Sequence, residues 1–189
     1  GAEIGTVTNV LFVPGEYMFQ SLLLPQRLEW DAVVGATREV GEHAAAHGLE
    51  LAIELLPFPH AFVNSVDRFV DFLDAVDLPN VKAAIDISHF WLIRADPSEL
   101  RRLAHRIGHV HLADCDGENH GDLPPGRGTT PFPAYLDALK EIGFTGGASV
   151  ELEFPEDPSQ MLPWVEEAYA GSARLLANAG LRDLAGSPT

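Results

Sequence analysis

Acidic and imidazole side chains close several apolar, β-branched runs of this chain, a placement that is costly unless something satisfies them. Ala52-Ile53-Glu54-Leu55 ends one run with a carboxylate that needs a cation or a hydrogen-bonding partner if it is buried. Ile85-Asp86-Ile87-Ser88-His89 sets an acid and a histidine three residues apart across a strand-to-loop junction. In Gly108-His109-Val110-His111-Leu112-Ala113-Asp114 the period of two aims both histidines at one face, and Ser149-Val150-Glu151-Leu152-Glu153 does the same for two acids. Any one of these groups is most simply a core residue with its hydrogen bonds satisfied. Taken together they suggest different chemistry. Glu54, Asp86, His111 and Glu151, on four successive strands, would give three carboxylates and one imidazole to a single divalent cation if the sheet closes. That shell suits Mn2+ first, with Mg2+, Co2+ and Zn2+ as alternatives.

Such a site needs elements that bring distant positions together. Apolar runs alternate with amphipathic stretches, and the spacing predicts strands over 5–13, 49–55, 81–87, 108–112 and 148–154. Helices are predicted over 25–47, 66–76, 97–106, 131–142 and 158–179, with Ser65 as an N-cap and Gly48 and Gly143 as stops. Strands separated by helices pair in parallel, because each crossover returns the chain to the same end of the sheet. An open doubly wound sheet and a barrel both satisfy this, and both gather functional groups at strand C-terminal ends. No Gly-x-Gly-x-x-Gly follows a strand, so a dinucleotide site has no support.

Composition narrows the partners. With 189 residues, 46% hydrophobic and 21% charged, the chain reads as one globular domain. A formal net charge of -16 repels phosphate backbones and anionic headgroups, which argues against nucleic acid and membrane partners. No run approaches the roughly 18 uncharged residues of a membrane span, and Gly1-Ala2-Glu3 lacks the features of a secretion signal, so a cytoplasmic protein is expected. The single cysteine, Cys115, excludes an internal disulfide framework and a Cys-rich zinc site, and it agrees with a reducing compartment.

At these residues the sequence resembles the xylose isomerase-like TIM-barrel superfamily, particularly its sugar phosphate isomerase/epimerase branch of ketose 3-epimerases, hydroxypyruvate isomerase and inosose dehydratase. The likeness rests on Ile53-Glu54-Leu55, Asp86-x-x-His89, His109-Val110-His111-Leu112-Ala113-Asp114, Leu123-Pro124-Pro125-Gly126-Arg127-Gly128, and Gly143-Phe144-Thr145-Gly146 leading to Val150-Glu151-Leu152. It implies an α/β fold, a parallel (β/α) TIM-type barrel, with 1–182 as its C-terminal part and 183–189 as a frayed tail. It also implies that Glu54, Asp86, His111 and Glu151 ligate the metal and that the two glutamates move protons. His89 would contact substrate, Asp114 would stand behind the ligands, and His120 and Arg127 would add substrate contacts from the loop after the fourth strand.

The implied activity is a divalent-metal-dependent isomerase or epimerase that acts on a sugar or related polyhydroxy carbonyl compound through a metal-stabilised enediolate. An inosose-type dehydratase is the alternative on the same scaffold. An abasic-site endonuclease of the superfamily would need a basic groove, which the charge opposes. Two departures stand out. A complete barrel has eight β/α units in roughly 250 residues, whereas the predicted strands correspond to about the fourth to the eighth, with the first three units missing. The expectation is therefore an incomplete barrel, either inactive or completed by a homo-oligomer or another partner. Second, Cys115-Asp116-Gly117-Glu118-Asn119-His120 lacks the arginine that a ketose 3-epimerase places shortly after its metal histidine. Plainer roles are expected elsewhere: His109 as a core histidine, Glu153 as a loop-end acid or substrate contact, and His43 and His47 as solvated helix residues.

Overall fold

The structure is a computed structural model that describes residues 6–9, 26–153, 155 and 157–181. Its main elements are β1 (Thr6–Asn9), α1 (Gln26–Ala46), β2 (Glu50–Glu54), α2 (Val66–Val76), β3 (Val81–Asp86), α3 (Ile87–Leu92), β4 (Ile107–Leu112), α4 (Phe132–Glu141), β5 (Gly147–Val150) and α5 (Met161–Asn178). The strands follow one another in chain order across one sheet. β1 pairs with β2, and β2 with β3, in parallel. By compactness the chain divides into two units, Gly1–Ile85 with His105–His109, and Asp86–Ala104 with Val110–Thr189.

In the first unit, β2 and β3 are buried almost throughout, as a parallel strand covered on both faces requires. Their register sets Glu54 opposite Ala84, two residues before Asp86 ends β3. Both acids thus lie at strand C-terminal ends. Helix α2 begins where Ser65 accepts a hydrogen bond from the Arg68 amide at 3.3 Å, and it ends at Asp77 in a left-handed conformation with φ 49. It buries Val66, Phe69, Phe72, Leu73 and Val76 on one face. Trp30 of α1 stacks on Phe62 at 5.5 Å and meets Phe72 edge-on at 5.8 Å. Each fully buried phenylalanine contributes about 1.5–3 kcal/mol by removing apolar surface from water. Gly108 lies so close to β3 that a Cβ there would stand 2.8 Å from Cβ of Lys82.

The second unit departs from the sequence expectations in three places. The chain turns directly from β3 into α3, so Asp86 is a helix N-cap and His89 a helical residue, not a loop histidine. Residues 97–106 form two 3-10 turns, Pro97–Arg102 and Ala104–Arg106, where one helix was predicted. The capping box of Asp96 and Glu99 starts this segment. β5 stops at Val150, short of the predicted 154, leaving Glu151 and Glu153 beyond the strand. Two long hydrogen bonds hold them there, Glu151 N–H to Leu112 O and Glu153 N–H to Asp122 O, each 3.4 Å.

Tyr135 of α4 is fully buried and donates its hydroxyl to Ala95 O at 2.7 Å, tying α4 to the start of the first 3-10 turn. α5 buries the small residues Ala168, Gly171, Ser172 and Ala173. Most of the predicted 5–13 strand and the 183–189 tail lie outside the described residues. Among the described residues no helix is long and apolar enough to cross a membrane.

Candidate metal centre

Asp86 is only 1% exposed, and its two carboxylate oxygens have different surroundings. As N-cap of α3 its Oδ1 accepts the amides of Ser88 at 2.7 Å and His89 at 3.1 Å. Its Oδ2 is buried and meets no hydrogen-bond donor among the described residues. An oxygen in that state costs free energy unless a cation or a ligand group completes it.

His111 and Glu151 supply the neighbours. His111 is carried by β4 and is 8% exposed, while Glu151 follows β5 with its Oε2 fully buried. Oε2 stands 2.5 Å from His111 Nδ1, an ion-pair distance. The imidazole holds the Glu151 carboxyl below its usual range, against the opposing effect of burial, with smaller help from the charges of His89 and His120. One ligand atom from each of Asp86, His111 and Glu151 lies within 4.8 Å of the others. Bonds of about 2.1 Å to one cation leave donors about 3–4 Å apart, so small side-chain rotations would close this set on an ion. The unpartnered Asp86 oxygen and the donor types therefore fit a divalent cation.

A second cluster adjoins it. His89 Nε2 and His120 Nε2 are 2.9 Å apart and share one proton, and Asp122 Oδ2 approaches His120 Nε2 at 3.3 Å. Burial lowers the His120 pKa, as does the charge of His89, against the raising effect of Asp86 and Glu151. Asp122 is 1% exposed, and burial pushes its pKa up to about 7, with Asp86 and Glu151 adding to the rise. Sequence reasoning passed over Asp122. The only local signal was an acid between Gly121 and an apolar residue; its left-handed φ of 36 and its burial come from the fold around it.

Asp114, expected behind the metal ligands, accepts four backbone amides. Its Oδ1 accepts the amides of Cys115 at 2.8 Å and Thr130 at 3.1 Å, and its Oδ2 those of Gly126 and Gly128, both at 2.8 Å. One carboxylate thereby folds the whole 123–130 loop. Gly128 is required there, because a Cβ would stand 2.0 Å from Cys115 O. Arg127, between the two glycines, points to α5 and donates to Glu167 at 2.7 and 2.6 Å. Glu54 lies in the first unit, 7% exposed at the end of β2. His109 is half-buried on β4.

The family model described as the xylose isomerase-like TIM barrel matches residues 1–178. The chain is 32% identical to the D-psicose 3-epimerase of Ruminiclostridium cellulolyticum over 126 residues, which is 65% of this chain and 41% of that protein. It is 30% identical to the inosose isomerase of Bacillus subtilis over 130 residues, 65% of this chain and 47% of that protein. The chain thus spans less than half the length of these relatives. In fold it is similar to the crystal structure of the IOLI protein with a bound zinc atom, with a TM-score of 0.79 and 23% identity over 93% of this chain and 64% of that one. L-ribulose 3-epimerase gives a TM-score of 0.76 at 23% identity, covering 93% and 62% respectively. The chain belongs to the xylose isomerase-like TIM-barrel family.

Proposed function

We propose that this chain carries the centre of a divalent-metal-dependent isomerase or epimerase acting on a sugar or related polyhydroxy carbonyl compound through an enediolate. The observation that carries the reading is the buried Asp86 Oδ2, which has no hydrogen-bond donor among the described residues and lies in a set with His111 and Glu151. Relatives named as a D-psicose 3-epimerase and an inosose isomerase support the substrate class, and a zinc-bound fold neighbour supports a cation, with Mn2+ our first choice.

Asp86, His111 and Glu151 would be ligands, and Glu54 the fourth. Support for Glu54 is its burial in an otherwise apolar strand and its position at the same sheet end as Asp86. A bound cation would polarise the carbonyl and hydroxyl oxygens of the substrate and so acidify the adjacent C–H. The chain's own groups then handle the proton. Glu151, held ionised by His111, takes it from carbon to leave the enediolate, and Glu54 returns one. Return to the opposite face of the same carbon inverts a centre; return to the neighbouring carbon moves the carbonyl. Loss of a β-hydroxyl from the same intermediate would make a dehydratase. His89 and His120, sharing one proton, are placed to hold substrate hydroxyls.

Glu151→Gln should abolish uptake of solvent deuterium into substrate, in a screen of sugars, keto-inositols and hydroxypyruvate with added Mn2+, while circular dichroism stays unchanged. Undiminished uptake would reject the role of Glu151.

A further inference from the structure

The 123–130 loop is fastened at both ends of its arc. Asp114 pairs with Leu123 through two backbone hydrogen bonds of 2.9 and 2.8 Å, and its carboxylate gathers the amides of Gly126, Gly128 and Thr130. The tip of the loop is held differently. The Arg127 guanidinium meets Glu167 through two nearly parallel hydrogen bonds and lies 4.8 Å above the ring of Trp164. Pro125 O reaches α5 at Gly171, where any Cβ would stand 2.3 Å from that oxygen.

Trp164, Glu167 and Gly171 follow a helical spacing of three and then four, so they form one stripe on α5. Each meets the loop by a different chemistry: an aromatic face, a carboxylate and a missing side chain. Such a match is more than an isolated surface ion pair, which would be worth little. The residue just before the loop is Asp122, bonded through its carboxylate to His120 and Ser88.

We propose that Trp164, Glu167 and Gly171 form a docking track on α5, and that Arg127 is a positioning residue that latches the 123–130 loop to it. The latch keeps Asp122 and His120 in register with His89. Arg127 then acts through α5 and not by touching substrate. The catalytic part of this inference rests on the proton-transfer reading above; the latch itself does not.

The test is a charge swap in the full chain. Arg127→Glu and Glu167→Arg each set like charges together, and each should slow solvent-deuterium uptake by about tenfold. The double variant R127E/E167R should recover to within about threefold of the parent, because the pair is restored with reversed sign. Amide exchange at Gly126, Gly128 and Thr130 should follow the same pattern, faster in each single variant and slow again in the double. Gly171→Ala should speed the same amides if a single swap folds poorly. If E167R keeps full activity while R127E and the double variant are equally impaired, Arg127 contacts substrate and the proposal is overturned. Unchanged loop exchange in all variants overturns it as well. Should the parent take up no deuterium from any substrate, the proposed function fails, and amide exchange alone decides the latch.

Discussion

Asp86 and Asp114 are equally buried, each 1% exposed, but they are completed in opposite ways. Asp114 accepts four backbone amides, two on each oxygen. Asp86 accepts two amides on one oxygen, and the other has no donor among the described residues. A carboxylate whose lone pairs are filled by backbone is a scaffold, and its charge is spent on closing a loop. One with a buried oxygen that meets no donor among the described residues has the character of a ligand-binding group. Burial alone would have ranked them together.

The contrast breaks most visibly at Asp114. Asp114→Ala strands four amides and should destabilise the protein by about 3–5 kcal/mol, read from the urea midpoint. A loss below about 1 kcal/mol would mean that the loop folds without its hub.

Asp122 gives the next effect, through pH. Its folded pKa of about 7 is above the ordinary 3.8, so between those values the folded metal-free protein binds more protons than the unfolded chain. Stability from this group is therefore present at low pH and lost as pH rises from about 4 to 7, by an amount on the order of 2–4 kcal/mol. Asp122→Asn should flatten that part of the pH profile, and a profile of unchanged slope would remove the argument for a protonated Asp122. The smallest effect is expected at Asp86. Asp86→Asn keeps the amide-accepting oxygen and removes a poorly solvated charge, so metal-free stability should move by less than about 1 kcal/mol. A large loss there would make Asp86 a structural residue like Asp114.

How much of this could be read from sequence follows the range of the interactions. Glu54 and Asp86 were legible because an acid in an apolar, β-branched run conflicts with its surroundings at short range. Ser65 was legible for the same reason, since an N-cap is a local hydrogen bond and α2 starts where it indicates. Asp86 as N-cap of α3 was available in principle, because Asp-Ile-Ser-His has the cap and its two amides within three residues. The strand pattern up to 87 hid it. Asp122 and the engagement of Arg127 could not be read, since they depend on residues 34 and 40 positions away in the chain. β5 was drawn too long because the apolar run continues past the point where its pairing ends.

Asp86, His111, Glu151 and Glu54 are proposed to hold one divalent cation. Calorimetric titration of the metal-stripped protein with Mn2+ tests it most directly, with elemental analysis of the dialysed product as a second readout. The account predicts one ion per chain in the parent, and its loss in His111→Ala and in Asp86→Ala with the fold intact. An equal stoichiometry and affinity in all three proteins, or no binding to the folded parent, would contradict it.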